Sequence, residues 1–163
     1  MELTVASAHS TAAPSVQRVL VHDSSKCTAC CTCMIACAMR HFGVADLEKS
    51  FIRIVFNEEL RAFEAVYCHH CDNPYCLNVC PVDAISKDEV TGIVRINPLI
   101  CIGCGSCTFA CPLGIPRRDP QMRVAVKCDL CEGDPECVKQ CPTQAIRYVP
   151  REEAYTFLTE KYR

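Results

Sequence analysis

Sixteen of the seventeen cysteines in this chain of 163 residues fall into four compact quartets, and no other feature constrains the fold so strongly. Cys101, Cys104, Cys107 and Cys111 are separated by two, two and three residues and run straight into Pro112. Cys27, Cys30, Cys33 and Cys37 repeat the spacing. Cys68, Cys71, Cys76 and Cys80 widen the middle gap by two residues, and Cys128, Cys131, Cys137 and Cys141 widen it by three. The last gap is three residues each time, and three quartets end in Cys-Pro. Three sulfurs on one tight loop converge on a single point, while the fourth leaves on a helical turn. Gly103 and Gly105 suit such a loop, since glycine accepts backbone angles that other residues avoid.

This is the spacing of thiolates around paired 4Fe-4S clusters, where the last cysteine of a run ligates the second cluster. Four quartets are enough for four clusters. A disulfide scaffold of a secreted protein fits poorly, because the cysteine count is odd and the tight spacing repeats. A zinc-binding interaction module pairs CxxC motifs about a dozen or more residues apart, unlike these quartets. His69 and His70 are expected beside a cluster or at the surface, because every cluster already has four sulfurs. CHHC lacks the CxxCH order of haem attachment. Gly103 and Gly105 lie inside a cysteine loop, not at the strand-to-helix turn of a flavin or nicotinamide site. One-electron centres without substrate chemistry predict a relay with no catalytic residue, touching a donor and an acceptor.

Half the residues count as apolar, but all seventeen cysteines are in that half, so the hydrocarbon core is modest. Metal binding then becomes part of the folding free energy, and the iron-free chain is expected to be largely unstructured. A net charge of -2 builds no basic stripe for nucleic acid. No apolar run approaches the ~20 residues of a membrane span, and residues 1–17 show no signal pattern. A reducing cytoplasm is the expected compartment.

Residues 1–17 read as a flexible arm. Short strand signals precede each quartet: RVLVH at 18–22, then 65–67, 93–96 and 123–126. Echoes follow three of them, in Pro81-Val-Asp-Ala-Ile85, Pro112-Leu-Gly-Ile115 and Pro142-Thr-Gln-Ala-Ile146. Such internal repetition predicts an α+β fold of two fused dicluster units over 18–149. The outer unit is drawn from 18–50 plus 122–149, and the inner from 65–116. Residues 51–56 (FIRIVF) read as a strand, and 87–96 as a hairpin closing on Thr91-Gly92. The tail, 150–163, carries a helix with Ala154, Tyr155, Leu158 and Tyr162 on one face. Both ends lie outside the cluster core and are free to link copies into a longer conductor. Lys26 and Lys127, each just before a quartet, either raise the potentials of the outer pair by placing positive charge nearby or are solvated lysines at a loop edge.

With KCTACCTCMIACAMRHFGV around the first quartet, CHHCDNPYCLNVCPVDAI, CIGCGSCTFACPLGIP and KCDLCEGDPECVKQCPTQAI, the chain resembles the four-cluster ferredoxin-type subunits of molybdenum, tungsten and carbon monoxide dehydrogenase enzymes. The resemblance covers residues 18–149. It implies that the first quartet pairs with the fourth and the second with the third, each last cysteine crossing to its neighbour. One cluster would then be held by Cys27, Cys30, Cys33 and Cys141, and its neighbour by Cys37, Cys128, Cys131 and Cys137. The inner clusters would be held by Cys68, Cys71, Cys76 and Cys111, and by Cys80, Cys101, Cys104 and Cys107. Cys31 departs from the pattern and is expected as a small buried residue, since Cys30 keeps both two-residue gaps.

CMIACAMRHFGV and SFIRIVF look most like the small subunits of cytoplasmic tungsten aldehyde oxidoreductases. The partners this implies are a large tungsten- or molybdenum-pterin subunit and a flavin subunit reacting with NAD, or a ferredoxin. Nickel-iron carbon monoxide dehydrogenase, formate dehydrogenase and hydrogenase complexes are the alternative setting.

Overall fold

The computed structural model describes residues 17–161; the arm expected over residues 1–17 and the position of Tyr162 lie, save for Gln17, outside the described residues. Four two-stranded antiparallel sheets and short helices make up a small α+β fold among the described residues. Strand β1 (Arg18–His22) pairs with β8 (Ile146–Pro150), so residues 18 and 150 are partners. Period-2 alternation sends Leu20 and Ile146 into the main core and Val19, Val21 and Val149 to the opposite face. Strand β2 (Arg53–Asn57) pairs with β3 (Ala62–Val66), their Phe56 and Phe63 rings meeting edge-on at 5.3 Å. Strand β4 (Ile85–Lys87) pairs with β5 (Val94–Ile96) around the turn that contains Gly92 at φ 72°, and β6 (Arg117–Arg118) with β7 (Ala125–Val126).

Helix α1 (Thr32–Phe42) buries Cys33, Met34, Cys37 and Ala38, one stripe at helical spacing, against α4 (Glu136–Lys139). Helix α2 (Tyr75–Asn78) faces α3 (Ser106–Ala110) in the same way. The main core takes Phe51, Ile52, Tyr67 and Ile93 as well as Cys33, Cys37 and Cys137. Phe51 and Ile52, read as the start of a strand, instead precede β2 and plug this core. Arg117 pins that segment by donating to the carbonyls of Ser50 (2.6 Å) and Lys49 (2.5 Å).

Helix α5 (Arg151–Lys161) forms where the tail helix was expected, and Ala154, Tyr155 and Leu158 line one cavity with Val19, Leu20 and Tyr67. Ala154 is buried and Phe157 half-buried on Val19, Val21 and Val149, whereas Tyr155 and Leu158 are exposed. The β1–β8 ribbon, two strands wide, covers only a narrow strip of helix, and Tyr155 swings out so that its hydroxyl lies 3.3 Å from Asp72 Oδ2. No helix among the described residues is long and apolar enough to cross a membrane.

Candidate iron-sulfur sites

All four cysteine loops share a backbone signature. The residue before the second cysteine has positive φ each time: Ala29 at 54°, His70 at 45°, Gly103 at 66° and Leu130 at 58°. Only one of the four is glycine, and each of the others costs roughly 1–2 kcal/mol for a left-handed backbone. At Gly103 a side chain would force one backbone segment to retreat, because a Cβ would sit 1.9 Å from the carbonyl oxygen of Arg123. The next left-handed position is Cys31 (59°) in the first loop and Gly105 (83°) in the third, immediately before α1 and α3. Cys31 therefore stands where the third quartet uses glycine. It is half-buried, not buried as expected, because this conformation turns its thiol back to donate to Ala29 O at 3.4 Å. Three residues past the last cysteine the pattern recurs at Asp83, Gly114 and Gln144.

Helix pairing carries the last cysteine of each quartet toward a neighbour. Cys71 and Cys76 have Cys68 and Cys111 as charge neighbours, and these four line one cavity of about 100 Å³. Cys80, Cys101, Cys104 and Cys107 line another of about 20 Å³. Burial, then Cys141, Cys30 and Cys27, pushes the Cys33 thiol up to about 12. Burial raises Cys137 too, with Cys37, Cys131 and Cys33 beside it. Burial raises the half-buried Cys128 as well, with Cys68 and Cys137 among its neighbours.

Buried thiols this close do not ionise together, so a bound cation has to take the place of their protons. Backbone donors already point at four of the sulfurs: Phe51 N–H at Cys37, Ala84 at Cys80 and Ala125 at Cys101, each 3.3 Å, and Leu130 at Cys128, 3.4 Å. N–H groups aimed at sulfur stabilise thiolate rather than thiol. Four convergent sulfurs per site, with the carboxylate of Asp129 beside one of them, Cys131, suit iron-sulfur clusters.

The expected neighbours divide. Lys26 is an exposed residue paired with Asp23 at 3.6 Å. Lys127 is buried, and its ammonium donates to Val94 O, to Cys128 O at 2.8 Å and to Cys68 Sγ at 3.6 Å. It thus lies against a cysteine of the inner range, not the outer pair alone. His69 is exposed and stacks on Tyr67 at 5.2 Å. His70 is 2% exposed; burial, then the charges of Lys127 and Arg151, holds its pKa down at about 2.

Sequence reasoning passed over His41. Its Nε2 lies 3.6 Å from both Cys131 Sγ and Asp129 Oδ1. Because Cys131 neighbours Cys37 and Cys137, His41 is an outer contact of that sulfur group and not a separate metal site. The one available signal was its position on the helix, one turn beyond Cys37.

The 4Fe-4S dicluster domain family matches residues 60–151. "Putative electron transport protein YsaA" of Escherichia coli (strain K12) is 38% identical over 142 residues, 81% of this chain and 89% of the relative. Thiosulfate reductase electron transfer subunit PhsB of Salmonella typhi is 34% identical over 151 residues, 81% of this chain and 75% of that one. NADH-dependent phenylglyoxylate dehydrogenase subunit beta of Aromatoleum evansii is 33% identical over 138 residues, 83% of this chain but 31% of the longer relative.

Proposed function

This chain belongs to the 4Fe-4S dicluster family and is an iron-sulfur electron-transfer subunit of oxidoreductase complexes, and we propose that it holds four 4Fe-4S clusters and relays single electrons through them. The ligand sets are Cys27, Cys30, Cys33 and Cys141; Cys37, Cys128, Cys131 and Cys137; Cys68, Cys71, Cys76 and Cys111; and Cys80, Cys101, Cys104 and Cys107. The supporting observation is the meeting of sulfurs from distant quartets, Cys141 beside Cys33 and Cys111 beside Cys71. Contacts between sets also form a line. Cys33 neighbours Cys137, Cys68 neighbours Cys128, and Cys76, Cys80, Cys101 and Cys107 share one apolar cluster. The outer unit, 18–50 plus 122–149, would hold the first two sets, and the inner unit, 65–116, the others.

A 4Fe-4S cluster takes up and returns one electron at a potential set by its surroundings. The chain contributes fixed sulfur positions, N–H donors that stabilise thiolate, and side chains that keep water from the buried sulfurs. On this reading the catalytic partner is a large tungsten-pterin subunit of the aldehyde oxidoreductase kind. The second partner is a flavin subunit reacting with NAD, or a ferredoxin, and the setting is cytoplasmic. Ile102 and Phe109, 62% and 91% exposed, flank the exposed Cys104 and offer apolar surface for docking.

Elemental analysis of anaerobically purified protein tests the cluster count: about sixteen irons per chain are expected for four cubes, and about eight would reduce the relay to two. Co-purification from the native host with a tungsten-containing subunit is the expected outcome for the partner. Nickel in its place would move the chain to the carbon monoxide dehydrogenase or hydrogenase setting.

A further inference from the structure

We propose that the cavity lined by Cys68, Cys71, Cys76 and Cys111 is a donor-rich, positively charged cradle in which Lys127 and His70 make the cluster bound there the easiest of the chain's clusters to reduce. This rests on the ligand assignment above and goes beyond it, to the order of potentials along the relay.

Two observations carry it. Lys127 meets three acceptors, Val94 O, Cys128 O and Cys68 Sγ, one for each N–H of an ammonium. A full positive charge therefore lies against one sulfur of this set, in a buried site where solvent screens it little. His70 supplies the second. Its Nδ1 accepts from Val94 N–H at 2.9 Å, which leaves the ring proton on Nε2. His70 Nε2 is buried and has no hydrogen-bond partner among the described residues, while the ring lines this same cavity. A buried, unpaired N–H beside four converging sulfurs is matched by an acceptor within the cavity, and sulfide is the acceptor a cluster offers there.

Adding an electron makes a cluster more negative, so both groups favour the reduced form. Surroundings of the other sets differ. Among the described residues no cationic side chain lines the cavity of Cys80, Cys101, Cys104 and Cys107. Asp129 puts a carboxylate beside the set that holds Cys131, its Oδ1 accepting from Cys131 N–H at 2.9 Å, with Arg40 nearby. The set of Cys27, Cys30, Cys33 and Cys141 has hydroxyl and backbone donors, from Thr28 and Thr32 at Cys30, Met34 at Cys33 and Thr143, Ala145 and Ile146 at Cys141, all of them neutral. Because Lys127 also donates to Cys128 O, it sits where the inner and outer cysteines meet, and the node it creates lies inside the relay.

The test is a redox titration of the holoprotein followed by EPR, comparing wild type with Lys127→Met and Lys127→Arg. Lys127→Met should lower the reduction equilibrium constant of the first cluster to be reduced by at least about tenfold, about 59 mV for a one-electron centre, and leave the others in place. Lys127→Arg should restore most of it. A Lys127→Met protein with full iron and unchanged potentials overturns the proposal. If that variant loses iron, wild-type protein labelled with ¹⁵N-lysine or ¹⁵N-histidine decides. Pulsed EPR at a potential where only the first cluster is reduced should show ¹⁵N coupling from both labels, and coupling from neither overturns the proposal. Wild-type iron far below about sixteen per chain would instead sink the ligand assignment beneath it.

Discussion

Gly103→Ala isolates a cost that belongs to the loop backbone alone. At φ 66° the new residue is left-handed, worth roughly 1–2 kcal/mol. Its Cβ would also meet the Arg123 carbonyl oxygen at 1.9 Å, so one backbone segment has to retreat by more than about 1 Å to reach ordinary contact. The segment that yields is the turn between β6 and β7. It is held by Asp119 N–H to Val124 O (2.8 Å), Arg123 N–H to Asp119 O (2.9 Å) and Asp119 Oδ1 accepting from Gln121 and Met122. Weakening about two of these adds ~2 kcal/mol, for a total of about 3–4 kcal/mol. Gly105→Ala carries only the left-handed cost, since the nearest atom to its Cβ is 3.9 Å away. The same turn leads into Ala125, whose N–H points at Cys101 Sγ, so Gly103→Ala disturbs one sulfur set from two sides. Iron release in guanidinium under argon, followed by loss of visible absorbance, should be about 10- to 30-fold faster for Gly103→Ala than for Gly105→Ala, the factor that ~2 kcal/mol gives. Equal rates would refute the assignment of that cost to the Arg123 contact.

Cys31→Ser should retain the wild-type iron content, whereas Cys30→Ser should lose about one cluster by elemental analysis. Cys111→Ala and Cys68→Ala should extinguish the same EPR signal, and Cys80→Ala a different one; loss of one signal by Cys80→Ala and Cys68→Ala together would contradict crossed ligation. Arg117→Ala, which removes two hydrogen bonds from a charged donor and the contact of its guanidinium with Phe51 at 5.3 Å, should cost about 2 kcal/mol in thermal unfolding of the holoprotein. Iron removal by a chelator should abolish most far-UV circular dichroism, and a cooperative melt of the stripped chain would contradict a metal-dependent core.

The quartets were legible because cysteine spacing is local: three sulfurs within one loop converge whatever the rest of the chain does. Strands β1, β5 and β7 were legible for the same reason, each a short β-branched run feeding a loop. Left-handed positions were legible only at Gly103 and Gly105. Ala29, His70 and Leu130 adopt the same backbone with no residue preference to announce it. His41 and Lys127 gain their roles from packing across the fold, 90 residues from Cys131 and 59 from Cys68 respectively. The α5 stripe was legible as the shared side of Ala154, Tyr155 and Leu158; that Ala154 alone of the three is buried was not, because the width of the β1–β8 ribbon decides it.

The order of the sulfur sets follows from that ribbon. Pairing residue 18 with residue 150 brings the first quartet beside the last, so the chain closes on itself around the second and third. Loop closure over so long a segment costs entropy that five paired residues do not offset, and the residues that seal it are largely ligands or their immediate neighbours: Cys33, Cys37, Cys137, Leu130 and Ile146 in one core. The same contacts that hold the ends together therefore hold the sulfurs in register. This ties the relay's geometry to its iron: a cluster lost from the outer sets loosens the closure that aligns the inner ones, whereas the hairpin of β4 and β5 keeps the inner sulfurs tethered locally through Ile85 and Val94. On the proposed ligand assignment, the outer sets are consequently the ones whose occupancy decides whether four separate cages form one line.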